Sequence, residues 1–338
     1  MLDFGLSDEI METFNNKIFK LDSILEQKYF RVNDVKNKLQ PNIKNFLTSL
    51  FFEINEIPTK ELLLYSNKDL KILINKFFEE LEKSFPIGNS KNIFKQDISD
   101  EVFEWDSLIP EKQIRCIKKL LTFKYTKLYE KLRDDFGKKL IINNNIFICP
   151  YCKRNYINVI VSKNHSKSVK PDLDHFYPKS IYPFLGISLS NLIPSCLTCN
   201  QRCKGNKDTF EEFPHIFPPE NVFRLLTFSL PIHNKILMKI DNNYSKYSTT
   251  EKEVKNHLET FLIEETYKSH IEIAELIKEK HDKYSSSKIS DLVNTTKGLT
   301  MNDIRDIVFY EYEKLEKDND REPLSKLKWD LYNDIVKK

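Results

Sequence analysis

The sequence predicts a mainly α-helical chain with a central α+β insert, on three observations. Amphipathic runs at helical spacing fill both flanks, short β-branched and aromatic runs cluster in the middle, and four of the six cysteines form two Cys-x-x-Cys pairs beside those runs. With 338 residues, 40% hydrophobic and 30% charged, the chain has apolar material for two or three packed units. The expected organisation is a helical region over 1–140, a small αβ unit over 141–215 and a mostly helical region over 216–338.

Up to about Gly137 the chain reads as helices punctuated at Pro41, Pro58, Pro86-Ile87-Gly88 and Pro110. The clearest helix starts at Pro110, a good first-turn residue. It sets Ile114, Ile117, Leu120, Leu121, Tyr125, Leu128 and Leu132 on one stripe, and Gly137 is expected to end it. Arg115, Lys118, Lys119, Lys127, Lys131 and Arg133 fall on the opposite face, which either extends a basic surface toward the next segment or is, more commonly, simply solvated. Ile146-Phe147-Ile148 and Tyr156 to Val161 read as strands around the first cysteine knuckle. Beyond Pro218-Pro219, Phe223 to Leu230 and Lys235 to Ile240 read as a hairpin across Pro231-Ile232-His233-Asn234. Helices resume near Thr250, with Val254, Leu258, Phe261 and Leu262 on one side, and again over Met301 to Lys317 and from Pro323 onward.

Charged residues interrupt Met1 to Lys20, so no signal-peptide core is expected, and no apolar run approaches the ~20 residues a bilayer crossing requires. The expected location is cytoplasmic, with no membrane association. Net charge is +3, but Ile141 to Lys207 holds nine bases against Asp172 and Asp174, a local +7 that leaves −4 for the rest. Such a segment is either a phosphate-binding surface or a solvated lysine-rich face.

Cys149-x-x-Cys152 and Cys196-x-x-Cys199 offer four thiolates with the tight spacing that grips one zinc at ~2.3 Å. Four thiolates fill a tetrahedron, so the zinc is expected to be structural. Forty-three residues separate Cys152 from Cys196, long enough to form an element of their own. Cys203 reads as a small packed residue or a substitute ligand, and Cys116 as structural. His165, His215, His233, His257, His270 and His281 have no ligand-spaced partner and receive no role.

The intervening loop contains Asp174-His175-Phe176-Tyr177-Pro178-Lys179-Ser180 and returns through Asn191-Leu192-Ile193-Pro194 into Cys196. His175 is suited to take a proton from water, because an imidazole of pKa ~6.5 is largely neutral at cellular pH. Asp174 and Asn200 offer hard oxygens for Mg²⁺ or Mn²⁺. From Ile148 to Lys207 the pattern resembles HNH endonucleases in their zinc-stapled ββα-metal form. The Asp-His-Phe-Tyr-Pro-Lys-Ser and Cys-Asn-x-x-x-Lys-Gly stretches are similar to those of Septu-type anti-phage HNH nucleases. The resemblance implies Asp174 and Asn200 on one catalytic ion, His175 as general base, Asn191 orienting His175 and bracing the loop, and Lys204 at phosphate or leaving group. In many HNH members that lysine comes one residue earlier, where Cys203 stands here. It further implies DNA cleavage beside an ABC-like ATPase partner. Lys179, Arg202 and Lys207 are candidates for DNA backbone contacts, Lys179 equally for shaping its turn. The alternative is a zinc-stapled nucleic-acid- or protein-binding module without catalysis.

Overall fold

The computed structural model describes residues 40–43, 45–46, 67–98, 106–143, 146–163, 168–210, 213, 220–230, 235–247, 249–296, 298–315 and 322–337. Pro58, Pro218-Pro219, Lys167, the 231–234 loop, His165, His215 and His233 lie outside these residues, as do the side chains of Lys127, Leu128, Lys131, Leu132 and Arg133. The described chain is mostly helical with small two-stranded sheets, and it divides into two interleaved compact units. One unit takes the described residues of 1–145, 159–194 and 205–211, and the other those of 146–158, 195–204 and 212–338.

In the first unit, α1 (Asn67–Ser84) buries Leu70, Ile74, Phe77, Phe78 and Leu81, the spacing of a single helical face, with Phe85 buried just past its end. A turn with Gly88 at φ 77 leads to α2 (Ser90–Lys95), and Glu82 accepts the Gly88 and Ser90 amides to hold that turn. The long helix α3 (Pro110–Asn143) starts at the expected proline and buries Ile114, Ile117, Leu121 and Tyr125. It does not stop at Gly137. A glycine inside a helix costs about 1 kcal/mol, which a helix of 34 residues absorbs. Lys118 is also not on a solvated face: it is 2% exposed and donates from Nζ to the Gln96 carbonyl at the end of α2. Burial lowers its pKa to about 8.

Two short sheets complete this unit: β1 (Ile160–Val161) with β2 (Ser168–Val169), and β3 (Asp172–His175) with β4 (Leu192–Ser195), whose last residue passes into the second unit. Between β3 and β4 the chain makes 3₁₀ turns at Pro183–Leu185 and Leu189–Asn191. Phe184 stacks on Phe77 at 4.2 Å between ring centroids, fixing this loop to the helical core.

In the second unit the expected hairpin forms between β5 (Leu226–Ser229) and β6 (Leu237–Ile240), antiparallel, with Phe228 opposite Met238. Phe223 lies in the short helix α4 (Glu220–Arg224) rather than in the strand. The hairpin is followed by α5 (Glu251–Thr260), α6 (Ile263–Lys268), α7 (Ile271–Lys283), α8 (Ser286–Thr295), α9 (Met301–Val308), α10 (Tyr310–Glu313) and α11 (Ser325–Ile335). A Thr250/Glu253 capping box starts α5 and explains its sharp onset. Val254, Leu258 and Phe261 are buried as expected, but Leu262 is exposed, because it turns to φ 49 to break α5 from α6. Asp330 and Asp334 on α11 accept the Phe228 and Leu230 amides, each at 2.9 Å, so the C-terminal helix takes up hydrogen bonds that a further strand would have made. Of the expected N-terminal strands in this unit, Ile148 and Tyr156 form only an isolated bridge. No described helix is long and apolar enough to cross a membrane.

Candidate functional site

All four paired cysteines belong to the second unit. The sulfurs of Cys149, Cys152, Cys196 and Cys199 lie within 4.8 Å of one another. Sulfurs around one zinc at ~2.3 Å lie ~3.8 Å apart, so these four are positioned to bind one metal ion and suit a structural zinc. The backbone serves the sulfurs as well. The Cys196 amide points to Cys149 Sγ at 3.4 Å, the Cys199 amide to Cys196 Sγ at 3.4 Å, and Asn155 Nδ2 to Cys196 Sγ at 3.2 Å. Such N–H donors stabilise thiolate charge. Burial pushes the Cys149 thiol well up, whereas hydrogen bonding within the cluster holds Cys196 far down. Four crowded sulfurs thus compete for protons, and a dication removes the conflict by taking all four as thiolates.

The first knuckle closes with Lys153 at φ 49, whose amide donates to the Cys149 carbonyl at 2.8 Å. Three residues far along the chain then hold the knuckle. His257 Nε2 donates to the Tyr151 carbonyl at 2.9 Å, the Tyr267 hydroxyl to the Cys152 carbonyl at 2.9 Å, and the Leu324 amide to the Lys153 carbonyl at 2.9 Å. His257 received no role from the sequence, yet it is 1% exposed, and burial lowers its pKa to about 4, which keeps it neutral. No sequence signal links it to a cysteine pair 105 residues away.

The second knuckle runs into a π-helical turn, Thr198–Lys204, rather than an ordinary short helix. Asn200 is half-buried on this turn, and its amide donates to the Cys196 carbonyl at 3.0 Å. Arg202 is exposed, Cys203 half-buried and Lys204 buried. In the first unit, Lys207 is exposed.

Asp174, His175 and Asn191 are in the first unit, all buried, at 4%, 7% and 0% exposure. Asp174 and His175 end β3, and the ladder continues as the Phe176 amide donates to the Asn191 carbonyl at 2.8 Å. His175 Nε2 lies 2.8 Å from the Gly186 carbonyl oxygen. A carbonyl only accepts, so Nε2 carries the hydrogen, and in the neutral ring the basic nitrogen is Nδ1. Space at 186 is tight: a Cβ there would meet the Pro183 carbonyl oxygen at 3.1 Å and Tyr125 Cβ at 3.4 Å, so a side chain requires the Pro183 backbone to give by a few tenths of an ångström.

Asn191 touches backbone groups throughout. Its Oδ1 accepts the Tyr177 amide at 2.7 Å, and its Nδ2 donates to the Tyr177 carbonyl at 3.1 Å and the Leu185 carbonyl at 3.2 Å. It ties the start of the loop to the residue before Gly186, so its link to His175 runs through the main chain. The loop is also pinned from Asp208 to Phe210. Thr209 donates to the Phe176 carbonyl, and Asp208 accepts Tyr182 Oη at 2.9 Å and Lys95 Nζ at 2.6 Å.

Sequence reasoning also missed Tyr129, which lies one turn after Tyr125 on α3. Its ring meets the His175 imidazole edge-on, with centroids 4.6 Å apart, and its hydroxyl reaches the Leu173 carbonyl at 3.4 Å. The exposed Lys179 sets Nζ 5.2 Å from the same ring. The i, i+4 relation to Tyr125 is the signal that would have found it.

Fold and site together define a mainly helical protein with small antiparallel sheets and four clustered cysteines positioned to bind a metal ion. Over 85 residues, 24% of this chain, the sequence is 31% identical to the Septu protein PtuB of Bacillus thuringiensis. The match covers 30% of that protein, so the chain spans less than a third of its length. No family model and no solved structure matches.

Proposed function

We propose that this protein is a divalent-metal-dependent nuclease of the HNH type that hydrolyses DNA phosphodiesters. The observation that carries the reading is His175, a buried imidazole whose Nε2–H is committed to a backbone carbonyl and which directly follows the buried Asp174 in β3. Fixing one ring nitrogen as donor defines the other as base. In the reaction, His175 Nδ1 takes a proton from water as its oxygen bonds to phosphorus, and the opposite P–O ester bond breaks. Asp174 would hold a divalent ion, which when bound would supply charge neutralisation at the phosphate and at the departing oxygen. Asn191 braces the loop that aims the imidazole. The roles of Asn200 as a further ligand of that ion, and of Lys204, Arg202 and Lys207 at phosphates, rest on the sequence pattern alone. The four-cysteine zinc is structural and takes no part in the chemistry.

The match to a Septu protein, together with the Asp-His-Phe-Tyr-Pro-Lys-Ser and Cys-Asn-x-x-x-Lys-Gly motifs, supports a role as a cytoplasmic effector of anti-phage defence working with an ATPase partner. The test is a metal titration on supercoiled plasmid. Nicking is expected with Mg²⁺ or Mn²⁺ and not without them, and Asp174→Ala is expected to lose it at every metal concentration while keeping its zinc. Nicking without a divalent ion, or undiminished in Asp174→Ala, would overturn the assignment.

A further inference from the structure

Helix α3 carries two tyrosines one turn apart, and both face the loop that holds His175. A Cβ at Gly186 would crowd the Pro183 carbonyl oxygen at 3.1 Å and come to 3.4 Å from Tyr125 Cβ, while Tyr129 packs its ring against the imidazole itself at 4.6 Å. On the same Tyr129 ring sits the ammonium of Lys179, at 5.2 Å from the centroid. The tyrosine is 9% exposed and reaches back to β3 through the Leu173 carbonyl. One aromatic ring therefore contacts both a cation and an imidazole, and its hydroxyl reaches the strand that carries the imidazole.

We propose that Tyr129 is a positioning residue that sets Lys179 and His175 at a fixed spacing, making Lys179 the cation that meets the phosphate whose ester bond is cut. This rests on the nuclease reading of His175. The physical case is that a lysine chain at the surface samples many rotamers, and a π face beneath its ammonium selects one of them. An edge-on aromatic neighbour likewise limits rotation of the imidazole about its hydrogen bond to Gly186. A cation placed in advance next to the attack site binds phosphate with little ordering cost.

The experiment is a double-mutant cycle on the full-length, zinc-loaded protein, with Tyr129→Leu, Tyr129→Phe, Lys179→Ala and the combination of Tyr129→Leu with Lys179→Ala. Binding of a short fluorescein-labelled DNA duplex, followed by anisotropy without added divalent ion, gives affinity and its salt dependence. Cleavage with Mg²⁺ gives kcat and KM. Lys179→Ala is expected to weaken duplex binding about tenfold and to lower the salt slope by about one. Tyr129→Leu is expected to cause a similar loss of affinity and a further fall of about tenfold in kcat, whereas Tyr129→Phe keeps most of both. In the Tyr129→Leu background, Lys179→Ala is expected to cost almost nothing more, since the lysine is already released. Full additivity in the binding cycle would overturn the proposal, as would a Tyr129→Phe protein as damaged as Tyr129→Leu. If Tyr129→Leu does not fold, Tyr129→Met fills the space without a π face and completes the cycle. Because binding is read without turnover, failure of the coupling is separated from failure of the nuclease reading, which shows only as absent cleavage.

Discussion

Replacing Asn191 with alanine tests how the His175 loop is held. The side chain is fully buried, and its three hydrogen bonds all end on main-chain groups, the Tyr177 amide, the Tyr177 carbonyl and the Leu185 carbonyl. Alanine satisfies none of them. A buried polar group left unmade costs about 1–3 kcal/mol, with the orphaned amide at the upper end and the carbonyls, which tolerate loss better, at the lower. The sum is roughly 3–5 kcal/mol. At about 2–4 °C per kcal/mol for a unit of this size, the apparent Tm should fall by roughly 10 °C in a thermal melt. Asn191→Asp is no better, because it keeps an acceptor for Tyr177 but sets a buried carboxylate against two carbonyl oxygens. Activity should fall further than stability at a temperature where the variant is folded, because Leu185 precedes the residue whose carbonyl orients His175. An Asn191→Ala protein that melts within a degree or two of the parent would refute this view of the loop.

Other perturbations separate the parts of the account. Cys199→Ala should reduce bound zinc from one ion per chain to almost none by elemental analysis and destabilise the C-terminal unit, whereas Cys116→Ala should leave the zinc in place. Gly186→Ala should push the 186 carbonyl off the imidazole and lower kcat by about tenfold with little change in DNA affinity, as measured by steady-state kinetics and anisotropy. His257 has a folded pKa of about 4 against 6.5 when free, so the unfolded chain binds a proton that the folded chain refuses. Its contribution is complete above about pH 6.5 and is lost as the pH falls toward 4, at no more than about 1.4 kcal/mol per pH unit. In urea melts the stability gap between the parent and His257→Leu should therefore narrow over that window. A gap that stays constant would show that His257 does not titrate with unfolding.

What the sequence made legible was local. The cysteine pairs announce themselves through spacing, Pro110 marks the start of α3, and alternating strands with Thr250 downstream give the hairpin and the cap of α5. Non-local partners were hidden. His257, Tyr267 and Leu324 grip the first knuckle from far down the chain, and no periodicity in the sequence couples them to Cys149 or Cys152. Gly137 misled because its intrinsic cost is small beside the length of the helix that contains it. Lys118 misled because a lysine on a polar stripe is usually solvated, whereas here a helix-end carbonyl accepts its buried ammonium. Leu262 followed the apolar pattern of α5 and still faces solvent, since the chain reverses at that residue. The interleaving of the two units could not be inferred either, as it depends on how loops return rather than on composition.

The central claim is that His175 is the base of a metal-dependent nuclease, and cleavage of plasmid DNA by the zinc-loaded parent and by His175→Gln, side by side with Mg²⁺, addresses it most directly. The parent should cut, and the variant should retain one zinc and its melting behaviour while its rate falls by about 10²–10⁴-fold, the range that loss of a general base produces. Equal cutting by the two proteins would contradict the claim.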